Sequence, residues 1–369
     1  MKRRSAKHRI VLKHARFVIP VLLVIIGIGT LVLSKAASPA ASIEAEDGNI
    51  SNTASSVEVS ETSNKKAVKF GTTSDAFSAA LGRTVPDTLY GVTTEDVGDL
   101  SALTTSLSRH TKRPITRIVF QNGTQPNDYT AAVDTLRGTS YIMGEILDST
   151  AVKNTSLASY TQRTQNFVNT YGKKIDIYEI GNELNGEWVG TPATVLPKVQ
   201  AVYDVVEKDN ASLNLNSAIT LNYWPSHDCY SNNWEQTIPF AQSLSSDIKN
   251  GVDYVFLSFY ETACDPSATP TNQNFIDIFS QLQTIFPHAK IGMGEIGAQG
   301  TTDGLPSDPT LTQKQQIANR YYGMHGSLKA ALGPRYVGGY FWWYYQQDAV
   351  PYNKTNSLWP TLETIFNSY

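Results

Sequence analysis

"IDIYEIGNELNG", residues 175–186, is the stretch on which the reading of the fold turns. It opens as a buried strand, with Ile177, Tyr178 and Ile180, and then presents Asn182 and Glu183 where the strand has to stop. An amide and a carboxylate left unpaired inside a strand would cost several kcal/mol, roughly 2–7 for the amide alone. The segment therefore reads as a strand whose end faces a ligand and water.

The same pattern recurs on both sides, as short β-branched or aromatic runs alternating with longer segments of helical period. The runs are "TLYGV" (88–92), "ITRIVF" (115–120), "SYIMGEIL" (140–147), "IDIYEIG" (175–181), "NSAITLN" (216–222), "DYVFLSF" (253–259), "AKIGMGE" (289–295) and "YVGGYFWW" (336–343). Amphipathic segments lie between and after them, among them 129–138, 156–172, 194–209 and 312–332, and 355–369 supplies a closing helix. Eight strand-then-helix units over 86–369 predict a (β/α)8 barrel, whose usual size is about 250 residues. A doubly wound open sheet would want a glycine-rich phosphate turn after its first strand, and "LYGVTTEDVG" has none.

The 369 residues carry a formal net charge of −3 and 41% hydrophobic residues, enough to bury a core of their own. That charge leaves no electrostatic footprint for nucleic acid. The basic residues concentrate at the start, where Lys2, Arg3, Arg4, Lys7, Arg9, Lys13 and Arg16 precede the uncharged run "FVIPVLLVIIGIGTLVLS" (17–34). Residues 1–34 thus read as an export signal, either cleaved near "SKAAS" (34–38) or kept as a membrane anchor. In both cases the basic flank stays in the cytoplasm and the rest is translocated, to the cell surface or the exterior. Export favours pairing of Cys229 with Cys264, the alternative being two buried thiols. Residues 35–85, rich in Ser, Thr, Ala and charge, read as a spacer. Within it "SIEAEDGNIS" and "KKAVKFG" resemble parts of carbohydrate-binding β-sandwich modules, too close together for a whole one, and so imply a remnant or a hairpin.

In a (β/α)8 barrel the chemistry sits at the carboxyl ends of the strands. Glu183 ends the fourth run and Glu295, in "IGMGEIG", ends the seventh, so their side chains can converge across the barrel mouth. "IGNE" on the fourth strand and "GEIG" on the seventh resemble the paired motifs of the clan A retaining glycoside hydrolases, the group that includes family 5 cellulases and mannanases. The resemblance covers about 86–369. It implies that Glu183 is the general acid/base and Glu295 the nucleophile, with Asn182 holding the 2-hydroxyl of the sugar attacked. The chemistry is consistent with that pairing: cleaving an acetal needs a proton for the departing oxygen and a stabiliser for the oxocarbenium-like carbon. Glu179, Glu145 and Asp148 are rival acids in the same region, without a matching partner on the seventh strand.

Further residues follow from the same resemblance. Tyr260 resembles the clan's tyrosine that hydrogen-bonds the nucleophile, although "SFY" (258–260) has Ser258 where family 5 members often carry histidine. Arg117 resembles a second-strand arginine that steadies the nucleophile's charge, an ordinary ion pair being the other reading. Of Trp342 and Trp343, which alternation sends to opposite faces, one would form the platform under a sugar ring and the other pack under a helix, and Trp343 is preferred for the platform. Tyr223, Trp224, Tyr230 and Trp234 follow the fifth strand and would either line further subsites or pack in the core, core packing being the preferred reading for Trp234. No zinc-like histidine spacing and no Ser-His-Asp arrangement is visible, so no metal or cofactor is expected. These readings predict an exported, monomeric glycosidase acting on a β-linked polysaccharide or oligosaccharide. The alternative is a non-catalytic carbohydrate-binding protein built on the same barrel.

Overall fold

The computed structural model describes residues 54–58, 66–70, 81–264, 267–298 and 309–369. The basic and apolar N-terminal segment read as a signal or anchor lies outside them, and no helix among the described residues is long and apolar enough to cross a membrane. The chain divides into two units, 1–71 and 72–369. In the first, Ala54–Glu58 and Lys66–Phe70 pair as an antiparallel ribbon, from Ala54 opposite Phe70 to Glu58 opposite Lys66.

The second unit is a closed barrel of eight parallel strands. They are β1 (Leu89–Thr94), β2 (Ile115–Val119), β3 (Tyr141–Glu145), β4 (Ile177–Gly181), β5 (Ser217–Asn222), β6 (Tyr254–Phe259), β7 (Lys290–Ile296) and β8 (Tyr336–Trp342). Each pairs with its neighbours in sequence and β8 closes on β1. Nearly every strand residue is buried, because the inner face meets the barrel interior and the outer face meets helices. That double burial is why the strands read as continuous apolar runs.

Helices cover the outside, including Leu157–Tyr171 after β3, Pro192–Tyr203 after β4, Leu311–Tyr322 after β7 and Trp359–Phe366 after β8. Two segments differ from the single helices expected. The helical pattern of 312–332 breaks at Gly323 into Leu311–Tyr322 and His325–Leu332. The 194–209 pattern leaves the α-helix after Tyr203 and continues as a wider π-helical turn, Asp204–Asp209. Helices Leu100–Ser108 and Asn272–Ile285 complete the units after β1 and β6, the second begun by a reciprocal Thr271–Asn274 cap.

The barrel interior is tiered. Leu89, Ile115, Met143, Ile177, Ala218, Phe256 and Phe341 form an apolar plug towards the amino ends of the strands. Two residues further along, the pleat brings up Arg117, Glu145, Glu179, Thr220 and Ser258, so polar groups lie directly above the plug. A buried charged layer of this kind is costly unless its members are paired.

Candidate active site

Both glutamates reach the mouth of the barrel through local departures from regular strand geometry. At the end of β4, Gly181 leaves room for Leu184 to fold back over it: a methyl group there would meet Leu184 Cδ2 at 2.5 Å. The backbone then turns through Glu183 in the left-handed region, at φ 50°. For a residue with a side chain such a conformation costs about 1–3 kcal/mol, a pattern that concentrates at functional sites. On β7 the pairing register with β6 shifts between the Met293 and Ile296 pairs. Gly294 lies against Thr220, where a methyl group would come within 2.9 Å of Cγ2. Glu295 follows, turned inward, its N–H donated to Ser258 Oγ at 3.2 Å. Ser258 thus holds the backbone of Glu295, a role visible only once the two strands are adjacent.

Three donors converge on the Glu295 carboxylate. Arg117 Nη1 lies 2.6 Å and Asn182 Nδ2 3.0 Å from Oε1, and the Tyr260 hydroxyl donates to Oε2 at 3.0 Å. Both carboxylate oxygens are thus held in fixed directions by charge-assisted or neutral donors. Arg117, only 1% exposed, also bonds Glu179 Oε2 at 2.6 Å, and its Nη2 lies 3.1 Å from Glu145 Oε2, out of line for a hydrogen bond. Asn182 Nδ2 reaches Glu145 Oε1 at 3.2 Å, and the Thr220 hydroxyl donates to Glu179. Three carboxyl groups therefore share one guanidinium. Burial pushes the Glu145 carboxyl well above the ordinary range, with Arg117 opposing and Glu179 adding to the rise. Glu179 is also raised by burial, against the pull of Arg117 and the Thr220 hydroxyl.

Glu183 stands apart from this cluster. Its Oε2 accepts the Ser149 hydroxyl at 3.2 Å, and Ser149 Oγ in turn accepts Trp188 Nε1–H at 3.1 Å. Burial, and next the charge of Glu295, push the Glu183 carboxyl well above the usual carboxylate range. The protein environment thus treats the two glutamates oppositely, one surrounded by donors and the other driven to hold its proton.

Both open into one cleft of about 460 Å³ at the carboxyl ends of the strands, lined also by Asn182, Trp188, Trp224, Tyr230, Tyr260 and Trp343. Trp343 lies over the Arg117 guanidinium, 5.4 Å from its carbon to the ring centre. Trp342, grouped in the sequence with the sugar-contacting residues, is instead fully buried on the helix side, its Nε1 bonded to Asp348 Oδ2 at 2.9 Å. Strand alternation carries it away from the cleft. Arg117 likewise lies beneath the floor and meets the cleft only through Glu295 and Trp343. Cys229 and Cys264 are joined in a disulfide, and Cys229 sits on the cleft wall.

Sequence reasoning passed over Trp188 and Ser149. Trp188 had a signal, an aromatic five residues beyond Glu183 in the same loop; Ser149 had none, because its link to Glu183 exists only across two loops. Replacing Ser149 by Ala removes a bond that favours the ionised Glu183. The group then keeps its proton to higher pH, so the alkaline limb of any Glu183-dependent activity should move upward in a pH profile of kcat/KM. An unmoved or lowered limb would show that Ser149 does not tune this carboxyl.

No protein-family model matches the chain, and no curated protein is similar to it in sequence. Solved structures are similar to it in fold. A glucosidase from Croceicoccus marinus superposes with a TM-score of 0.50 over 78% of this chain and 69% of its own, at 13% identity. A family 1 β-glucosidase from Thermotoga maritima gives 0.50 over 71% of this chain and 89% of its own, at 9% identity. At such identities the likeness is one of fold, and in fold this chain is a (β/α)8 barrel shared with those two enzymes.

Proposed function

We propose that the barrel is a retaining glycoside hydrolase acting on β-linked sugars, with Glu183 as general acid/base and Glu295 as nucleophile. The observation that carries this reading is the opposite treatment of two glutamates opening into one cleft. Glu183 gives its proton to the departing glycosidic oxygen while a Glu295 oxygen bonds to the anomeric carbon, forming a glycosyl ester. Glu183, now ionised, takes a proton from water, whose oxygen attacks the same carbon and releases Glu295. Asn182, Tyr260 and Arg117 hold the nucleophile in register, and Trp343 offers its face to the apolar side of a sugar ring. The basic, apolar N-terminus and the disulfide support an enzyme that works outside the cytoplasm, secreted or anchored, and nothing in the mechanism calls for a metal or cofactor.

A purely sugar-binding protein would gain nothing from a strained backbone at Glu183 and a carboxyl held above its ordinary range. The test is turnover of a panel of aryl β-glycosides and β-linked polysaccharides, with proton NMR of the first product formed. The expected product keeps the β-configuration. An α-product would exclude the covalent route, and binding without any release of sugar would replace the enzyme by the binder.

A further inference from the structure

We infer that the wall of the cleft on the Glu183 side is a leaving-group subsite for an oligosaccharide chain free of negative charge, continuing past Tyr230 into a second hollow. This rests on Glu183 being the proton donor. The cleft has two differently built ends. At one, Trp343 lies over Arg117 beside Glu295. At the other, the Trp188–Ser149–Glu183 hydrogen-bond chain sets an indole beside the acid, and Trp224 meets that indole edge to face at 6.4 Å between ring centres. The oxygen that Glu183 protonates belongs to the departing half of the substrate, so Trp188 and Trp224 flank that half.

Beyond them the surface does not close. Trp224 and Tyr230 form a ridge common to the cleft and to a neighbouring hollow of about 330 Å³, floored by Pro225, Gln236 and Ile278. Flat aromatic rings between polar groups suit the apolar faces of consecutive sugars. Cys229 lies between the two aromatics in sequence, and its bond to Cys264 ties their loop to the one after β6, so the ridge is ordered before substrate arrives. The charge is one-sided. Asp148, Glu187 and Glu235 stand around the cleft beside the protonated Glu183 and the Arg117-paired Glu295, and among the described residues no Lys or Arg lines it. A uronate or sulfated chain is repelled there, whereas neutral and amino sugars are not.

The experiment uses β-linked oligosaccharides of two to six units, in whichever sugar the panel shows to be cleaved, together with the matching β-glycosyl fluoride. Fluoride departs without filling a leaving-group subsite. For the parent protein kcat/KM should climb about tenfold or more with chain length, the size of effect one or two aromatic stacking contacts supply. Trp224→Ala and Tyr230→Ala should each flatten that climb, hitting the longest substrates hardest, and the Cys229→Ser/Cys264→Ser pair should do the same more weakly. An equal loss at every length would mean that Trp224 acts through Glu183 and would overturn the subsite, as would a parent indifferent to length. Faster cleavage of a uronate oligosaccharide than of its neutral counterpart would overturn the charge selection. Turnover of the fluoride alongside any of these failures leaves the glycosidase reading standing. Turnover of neither fluoride nor oligosaccharide removes both.

Discussion

Glu295→Gln should reduce turnover of every glycoside the protein cleaves by about 10⁴-fold or more, the scale of loss when a covalent nucleophile is removed. The substitution is nearly isosteric, and its amide suits the same neighbours. An amide oxygen in place of Oε1 still accepts from Arg117 and Asn182, and an amide nitrogen in place of Oε2 donates to the Tyr260 oxygen. The fold and sugar affinity are therefore expected to survive, as circular dichroism and equilibrium binding would register. A second variant makes the assignment positive. With Glu295→Gly, added azide should occupy the vacated space and attack the anomeric carbon, displacing an activated leaving group and giving the α-glycosyl azide. Turnover of Glu295→Gln within tenfold of the parent would place the nucleophile elsewhere, with Glu179 and Glu145 the nearest alternatives.

Arg117→Met should cost about 3–5 kcal/mol of stability at neutral pH, the usual result of removing one member of a buried ion pair while leaving the other charged. Here three carboxyls lose their cation together. The deficit should depend on pH in a definite sense. Glu145 and Glu179 already have folded-state pKa values above their unfolded ones, so their contribution is fully present below the unfolded value near 4.5 and is lost as pH rises through the folded one. Without Arg117 those values rise further. The variant should recover towards the parent when pH is lowered from 7 to about 5, because the buried carboxyls take up protons as pH falls through their raised folded-state values. Urea denaturation at the two pH values measures this, and adding Glu145→Gln should restore part of the loss at pH 7. A small, pH-independent deficit would mean that the cluster is not charged as described.

Much of the architecture was legible because parallel strands buried on both faces write themselves as uninterrupted β-branched and aromatic runs. All eight observed strands begin and end within a residue or two of those runs. The helices were less sharply marked: Gly323 divides one pattern, and the helix after β1 had too weak an apolar stripe to stand out among its threonines and serines. Site residues at strand ends, such as Asn182, Glu183 and Glu295, could be picked out because a polar group where a buried strand stops needs water, a ligand or an ionic partner, and two glutamates at the fourth and seventh strand ends match as a pair. What the linear chain could not show is partnership. Glu145 and Glu179 were visible as acids, but their sharing of Arg117 with Glu295 depends on strand register. The links of Ser258 to Glu295 and of Ser149 to Glu183 depend on which loops become neighbours. On β8, Gly338, Gly339 and Tyr340 all adopt positive φ, at 81°, 97° and 62°, so period-two counting is reliable only from Phe341 onward.

The stacked interior of the barrel bears on how such a protein changes over time. Its lower storey of hydrocarbon side chains, from Leu89 to Phe341, contains none of the groups that touch the cleft. Variation there alters resistance to heat through shape and volume alone. Variation in the loops above alters what is accepted and cleaved, so a lineage can trade substrates without renegotiating its foundations.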